Sequence, residues 1–153
     1  MSEIRSTSGA AALRIVDTNV LLHAVNADAP QHRVAHAWMQ QALAHPLGLG
    51  IAWQALLGFV RLSTRSGILP RPLAVDDALK LMNIWLSAPA TRVVQPTEQH
   101  AALVGRLLLG AGTAGNLVGD AHLAALALEH GATVVTFDRD LTRFAGVEVL
   151  VLR

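Results

Sequence analysis

Short, mostly apolar segments that stop at or near an acidic residue constrain this chain more than any other feature of its sequence. Residues 13–16 run directly into Asp17, and residues 133–136 lead into Asp138. Apolar runs this short, bounded by polar residues, are typical of buried strands. Longer segments with helical spacing separate the runs, and strands that alternate with helices build parallel sheets. The sequence therefore predicts an α/β fold with helices on both faces of a parallel sheet.

The alternation of strands and helices extends along the chain without an internal repeat or a domain boundary. The predicted strands cover residues 13–16, 49–52, 92–94, 133–136 and 147–150. The predicted helices cover residues 17–25, 31–43, 53–66, 75–86, 96–109 and 118–130, with a turn or short helix near residues 141–144. We predict that residues 1–12 form a flexible N-terminal arm and that residues 13–153 form a single domain.

Composition excludes several classes of protein. The 153 residues include no cysteine, which excludes disulfide scaffolds, Cys-ligated zinc and thiol nucleophiles. A formal net charge of +1 indicates no particular class of partner. The N-terminal residues lack the apolar run of a secretory signal, and no stretch has the about 20 mostly apolar residues that a membrane span needs. We therefore expect a cytoplasmic protein with no membrane partner.

Acidic residues are scarce, and three of them border strongly apolar segments. Asp17 and Asp138 follow predicted strands, and Asp120 opens the apolar helix at residues 118–130. Because ligands in open α/β sheets bind beyond the carboxyl ends of the strands, the three carboxylates are expected to converge there. Carboxylates and water suit Mg²⁺ or Mn²⁺, which offsets their mutual repulsion. The alternative is that each acid only caps a helix or forms a turn.

Three segments of the chain, in order and in spacing, resemble the motifs of PIN-domain ribonucleases. Residues 15–22 read IVDTNVLL, residues 120–127 read DAHLAALA, and residues 136–140 read TFDRD. The second segment is followed by EHGA at residues 129–132. One such motif alone is a weak signal, whereas three in order are specific. The resemblance runs from about Leu13 to the C-terminus and is greatest to the VapC-type toxins of bacterial toxin–antitoxin pairs.

This resemblance implies a fold, an activity and partners. The fold would be a single PIN-like domain with a parallel sheet of about five strands. The activity would be Mg²⁺-dependent endonucleolytic cleavage of RNA by metal-activated water, with Mn²⁺ able to substitute. The partners would be the RNA substrate, a cognate VapB-like antitoxin and a second copy of the chain in a homodimer.

The resemblance also assigns roles to individual residues. The catalytic and metal-binding residues would be Asp17, Asp120 and Asp138. The supporting residues around them would be Thr18, Asn19, Thr136 and Asp140. Asn116 is a further supporting candidate by helical spacing, because it lies four positions before Asp120 and would share its face if the helix begins early. Arg61 and Arg65 share a helix face and could steer RNA phosphates towards the site, although exposed arginines that only solvate a helix are equally common.

One position departs from the family pattern. PIN domains usually carry a glutamate in the helix after the second strand, and aligning on Phe59 and Arg61 puts Gly58 at that place. No acidic residue lies between Asp28 and Asp76 to substitute for it, which puts a second metal position in doubt. Two alternatives stay open: a degenerate PIN domain that binds RNA without cleaving it, and a different Mg²⁺-dependent phosphohydrolase.

One uncharged stretch has more apolar residues than a helix pair needs for its own core, which suggests an interface. The stretch of residues 34–60 has no Asp, Glu, Lys or Arg, and we expect part of it to form a groove for an antitoxin helix or a dimer contact. Trp38, Trp53 and Trp85 occupy apolar positions with helical spacing, which favours core or dimer contacts over base stacking.

Overall fold

The structure is a computed structural model that describes residues 2–4 and 12–153. The strands are β1 (Ser2–Ile4), β2 (Arg14–Val16), β3 (Leu49–Ile51), β4 (Arg92–Val93), β5 (Thr133–Thr136) and β6 (Glu148–Leu152). The α-helices are α1 (Thr18–Val25), α2 (His32–Ala44), α3 (Trp53–Thr64), α4 (Val75–Ser87), α5 (His100–Ala111) and α6 (Val118–His130). Two short 3₁₀ helices cover Gly115–Leu117 and Arg139–Arg143.

A single six-stranded sheet forms the centre of the domain, with the strand order β1-β6-β5-β2-β3-β4. β2 through β6 pair in parallel, and only the β1–β6 pair is antiparallel. The predicted α/β fold with five parallel strands is therefore confirmed. Because β2 lies between β3 and β5, the chain first adds β3 and β4 on one side of β2 and then crosses to add β5 and β6 on the other side.

Three residues of the predicted flexible arm over residues 1–12 form a strand in the structure. Ser2–Ile4 form β1, whose register pairs Ser2 with Leu152 and Ile4 with Leu150. A sheet edge offers unpaired backbone groups to any extended segment, so a strand of three residues can form without an apolar pattern of its own. The rest of the predicted arm, apart from Ala12, lies outside the described residues.

Neighbouring residues of the central strands face opposite layers of the core. Ile15 and Val134 pack with α5 and α6 on one face of the sheet, whereas Val16 and Val135 pack with α1 to α4 on the other. All four side chains are fully buried. Burial on both sides explains why the strands have no polar face in sequence.

Both ends of α5 differ from their predicted positions by two residues or more. α5 begins at His100 rather than near Pro96. Residues 98–99 form a turn before it, in which the backbone NH of His100 donates to the carbonyl oxygen of Thr97 at 3.1 Å. The same helix continues to Ala111 and ends at Gly112, whose φ of 75° suits glycine. Among the described residues, no helix is both long and apolar enough to span a membrane.

The apolar stretch of residues 34–60 is mostly internal. Its side chains supply much of the core under α1 to α4, and its only exposed large apolar side chains are Trp53 and Leu57. The expected groove or dimer contact in this stretch stays a prediction. Trp38 and Trp85 are buried, as predicted for core residues, but Trp53 is not part of the core, since 43% of it is exposed.

Candidate active site

The predicted site lies where β2 and β5 end side by side. The strands pair in parallel, and the backbone NH of Asp17 donates to the carbonyl oxygen of Val135 at 2.9 Å. Asp17 follows β2 directly and caps the N-terminus of α1, and Asp138 follows β5 by two residues. Parallel pairing therefore carries two acids that are distant in sequence to the same edge of the sheet.

Hydrogen bonds hold the Asp17 carboxylate in one orientation. Its Oδ1 accepts from the backbone NH of Thr18 at 2.7 Å, and its Oδ2 accepts from the buried hydroxyl of Thr136 at 2.8 Å. Asn19 connects both strand ends, because its Nδ2 donates to Thr136 Oγ1 at 3.1 Å and its Oδ1 accepts from the backbone NH of Phe137 at 3.1 Å. Thr18, Asn19 and Thr136 thus lie around Asp17, where the sequence analysis expected them.

Three further carboxylates converge beside this network. Asp120, in the first turn of α6, offers a carboxylate oxygen that lies within 4.8 Å of oxygens from Asp138 and Asp140. Asp138 is itself oriented by two bonds: its backbone NH donates to Thr136 Oγ1 at 2.9 Å, and its Oδ1 accepts from the backbone NH of Asp140 at 2.8 Å. Asp140 is exposed and pairs with Arg143 at 3.4 Å.

The crowding of negative charge alters the acidity of the site. Burial, followed by repulsion from the three neighbouring carboxylates, raises the pKa of Asp120 to about 6. Burial also raises the pKa of Asp17, with a smaller contribution from Asp138 in the same direction, although the hydrogen bonds from Thr136 and Thr18 oppose the rise. The site therefore stabilises positive charge placed between its carboxylates.

The donor set is chemically suited to a hard divalent cation. All of the converging groups are carboxylates, and Asp120 and Asp138 are only partly buried, which leaves room for water to complete a coordination shell. An acidic cluster suited to binding a metal is therefore present at the predicted edge of the sheet.

Three predicted site residues are not drawn into this cluster. Asn116 is exposed in the 3₁₀ helix that precedes α6, and within the described part of the chain it makes no hydrogen bond to the four carboxylates. Arg61 and Arg65 are exposed on α3 and at its C-terminal end. Helical spacing alone placed Asn116 near Asp120, but the chain changes from 3₁₀ to α geometry between them.

The first turns of α3 lie against the site, although they contribute no carboxylate. Thr18 Oγ1 donates to the carbonyl oxygen of Ala55 at 3.3 Å, and a Cβ on Gly58 would lie 3.1 Å from the same Oγ1. Gln54 Nε2 would lie 3.0 Å from a Cβ on Gly119, next to Asp120. Gly58 therefore allows α3 to pack closely on α1 beside Asp17.

A polar network behind the site was not predicted from the sequence. Glu129, whose side chain is 2% exposed, accepts from the backbone NH and hydroxyl of Thr97 at 3.0 and 2.6 Å. His100 links its other oxygen to His122, at 2.7 and 2.8 Å. These contacts fix α6, and hence Asp120, against the start of α5. The partners are 22 to 32 positions apart, so no local pattern reveals them.

The sequence was compared with models of known protein families. Residues 14–147 match the family described as PIN domain. The chain belongs to the PIN domain family. The match covers β2 to β5 and all four carboxylates of the cluster.

Curated relatives place the chain in the VapC branch of this family. It is 47% identical over 135 residues to "Ribonuclease VapC37" of Mycobacterium tuberculosis, covering 88% of this chain and 94% of the relative. "Ribonuclease VapC33" of the same species is 37% identical over 134 residues, covering 88% and 94%.

The chain also shares its fold with solved structures. A structure titled "Crystal structure of VapBC2 from Rickettsia felis bound to a DNA fragment from their promoter" superposes with a TM-score of 0.65 at 17% identity, covering 92% of this chain and 99% of the other. At this identity the similarity demonstrates the common architecture alone.

Proposed function

We propose that this PIN domain is the ribonuclease toxin of a VapBC-type toxin–antitoxin pair and cleaves RNA internally in a metal-dependent reaction. The observation that carries the proposal is the convergence of Asp120, Asp138 and Asp140 within 4.8 Å, beside the oriented carboxylate of Asp17. The names of the relatives, ribonucleases VapC37 and VapC33, support the same activity.

Asp17, Asp120 and Asp138 would hold Mg²⁺, or Mn²⁺ in its place. When bound, such an ion supplies neutralisation of phosphodiester charge and a more acidic water molecule. Metal binding would also offset the burial and the repulsion that together raise the pKa of Asp120, and so keep that carboxylate ionised at neutral pH.

The chain's own residues would prepare the site for this cation. Thr136 and Thr18 hold both oxygens of Asp17, so this carboxylate does not have to reorganise when a ligand binds. Asn19 ties the ends of β2 and β5 together and keeps Asp17 and Asp138 at a constant separation. Asp140 would support the site from its exposed rim, and the exposed guanidinium groups of α3 would attract RNA phosphates.

The experiment is cleavage of a panel of structured and single-stranded RNAs in Mg²⁺, with EDTA as the metal-free arm. We expect cleavage in Mg²⁺ and none in EDTA. Asp17→Asn and Asp120→Asn should each lower the rate by at least about 100-fold, because each removes charge that would hold the metal. Asp28→Asn, which neutralises an exposed acid outside the cluster, is the matched control and should retain the wild-type rate.

Two outcomes would contradict this assignment. RNA that binds but stays intact in Mg²⁺ and in Mn²⁺ would identify a degenerate PIN domain. Hydrolysis of p-nitrophenyl phosphate without cleavage of any RNA would identify a different phosphohydrolase.

The proposal includes the cellular partners of a toxin of this type. The protein would act in the cytoplasm as a homodimer, and a VapB-like antitoxin would silence it. The titles of similar solved structures, which name VapBC and FitAB complexes, support an antitoxin partner.

A further inference from the structure

We propose that the guanidinium of Arg143 binds the RNA phosphate next to the scissile one and so holds the strand at the rim of the carboxylate cluster. The inference rests on the proposed function, and it adds a substrate contact on the connection between β5 and β6. The sequence analysis had considered only Arg61 and Arg65, in or next to α3, for binding RNA phosphates.

An ion pair joins Arg143 to the cluster. Its Nη2 lies 3.4 Å from Oδ1 of Asp140. Asp140 in turn offers a carboxylate oxygen that lies within 4.8 Å of oxygens from Asp120 and Asp138. The guanidinium is therefore one carboxylate away from two of the acids that would hold the metal.

The 3₁₀ helix Arg139–Arg143 determines this placement. Side chains three positions apart lie above one another in a 3₁₀ helix, so Asp140 and Arg143 share a face. Leu141 and Phe144 are buried and anchor the segment in the core beneath α6. Because the backbone is anchored on both sides of Arg143, the exposed guanidinium stays at the rim of the site.

The ion pair with Asp140 leaves the guanidinium available to a phosphate. The side chains of Arg143 and Asp140 are 55% and 50% exposed, and water weakens an ion pair as exposed as this one. A guanidinium has five N–H donors in a planar fork that matches two oxygens of a phosphate. Arg143 can therefore bind a phosphate with its remaining donors while Nη2 stays near Asp140.

The rim position favours the flanking phosphate over the scissile one. The scissile phosphate would lie on the metal held by Asp17, Asp120 and Asp138. Arg143 lies outward of these acids, beyond Asp140, where the next phosphate of the strand would pass. The carboxylates repel RNA, and a cation at their edge offsets this repulsion where the strand enters.

The first test is the kinetics of RNA cleavage by the full chain in saturating Mg²⁺. Arg143→Ala should raise KM by about 3- to 30-fold, the loss of a charged hydrogen bond that is partly screened by water. The value of kcat should change by less than about twofold, because the contact is the same in the bound substrate and in the transition state. Arg143→Lys keeps the charge without the planar fork and should give an intermediate KM.

Arg106→Ala is the matched control. Arg106 is also exposed, but it lines a groove beside Leu128, which lies eight positions after Asp120 on α6. This variant removes the same charge far from the cluster, and its KM should stay within about twofold of the wild-type value.

A modified substrate locates the phosphate that Arg143 binds. After the cleavage site has been mapped, a methylphosphonate replaces the phosphodiester on each side of it in turn and removes one charge. At one of the two positions, the replacement should raise the KM of the wild type and of Arg106→Ala by the factor seen for Arg143→Ala. It should not raise the KM of Arg143→Ala further, because that contact is already lost.

Salt dependence gives a readout that does not require cleavage. In EDTA, fluorescence anisotropy of a labelled single-stranded RNA gives Kd at several KCl concentrations. The slope of log Kd against log salt concentration should be smaller for Arg143→Ala by about 0.7, the value for one phosphate contact to a single strand.

Three results would overturn the inference. The first is an Arg143→Ala variant that cleaves RNA with the KM and salt slope of the wild type. The second is an unchanged KM with tighter binding of Mn²⁺ in calorimetry, which would mean that Arg143 only neutralises Asp140. The third is a methylphosphonate that raises the KM of Arg143→Ala as much as that of the wild type at both positions. Each leaves the proposed ribonuclease activity intact, whereas a wild type that cleaves no RNA would refute the proposed function.

Discussion

Replacing Asp120 by asparagine should stabilise the metal-free protein at neutral pH. Asp120 has a raised pKa, so the folded state favours its protonated form. Protonation of Asp120 therefore contributes to the free energy of unfolding. That contribution is fully present below the pKa of the unfolded chain and is lost as the pH rises through about 6. Asparagine, which is never charged, does not incur this loss.

The magnitude follows from the pKa difference and the exposure of the group. The difference between the ordinary value of 3.8 and about 6 corresponds to about 3 kcal/mol at roughly 1.4 kcal/mol per pKa unit. Asp120 is only half-buried, so solvent screens much of its interaction with the neighbouring acids. We therefore expect a gain of about 1–2 kcal/mol, or about 2–8 °C in Tm for a domain of this size.

Asp120 is a better choice for this experiment than Asp17. Asp17 accepts hydrogen bonds from Thr136 and Thr18, and an asparagine amide at that position would present a donor where an acceptor is needed. Asp120 has no such partner among the described residues, so its substitution changes charge with little loss of hydrogen bonding. Asp28→Asn serves as the exposed control and should change stability by less than about 0.5 kcal/mol.

The assay is urea unfolding of wild type and Asp120→Asn in EDTA at pH 7.5 and at pH 4.5. The wild-type curve alone is not diagnostic, because Glu129 has the opposite pH dependence. Burial alone would raise the pKa of Glu129, but hydrogen bonds from Thr97 and His100 lower it, so its contribution is lost as the pH falls. The difference in the free energy of unfolding between the variant and the wild type removes the contribution of Glu129, because both proteins share it.

The gain should be present at pH 7.5 and largely absent at pH 4.5. Mg²⁺ should reverse the order at pH 7.5, since it stabilises the wild type by binding and the variant far less. A variant that is no more stable than the wild type at pH 7.5 in EDTA would refute the reasoning, as would an equal gain at both pH values.

The remaining predictions concern α3 and the assembly. Gly58→Glu should tighten the binding of Mn²⁺ measured by calorimetry, because it restores a carboxylate beside Thr18 and Asp17. Gly58→Ala is its control: helix propensity favours alanine by up to about 1 kcal/mol, the 3.1 Å approach to Thr18 opposes it, and metal affinity should stay unchanged. If both variants bind Mn²⁺ like the wild type, Gly58 does not face the metal. Light scattering at micromolar concentration should give the mass of a dimer, and a monomer at that concentration would contradict the proposed assembly.

Much of the local structure of this protein could be predicted from its sequence. The boundaries of β5 and α6 were predicted to the residue, because period and turn signals in those segments depend only on neighbouring positions. The three acids that end or begin apolar segments could be recognised for the same reason. A buried strand is almost wholly apolar, so a carboxylate directly after it marks the point where the chain returns to water.

Only the tertiary structure decided which of these groups meet. Asp120 joins Asp138 and Asp140 because α6 packs against the sheet with its N-terminus at the carboxyl edge, and Asn116, four positions earlier, does not. The hydrogen bonds among Thr97, His100, His122 and Glu129 join residues far apart in sequence.

The exposure of Trp53 could not be predicted either. The sequence pattern around an apolar residue with helical spacing is the same whether or not a neighbouring element covers that residue. Strand β1 is the converse case, since it has no apolar pattern and forms because the edge of β6 is open to it. Residue patterns specify what each segment can bury, whereas the order of strands in the sheet determines what is actually covered.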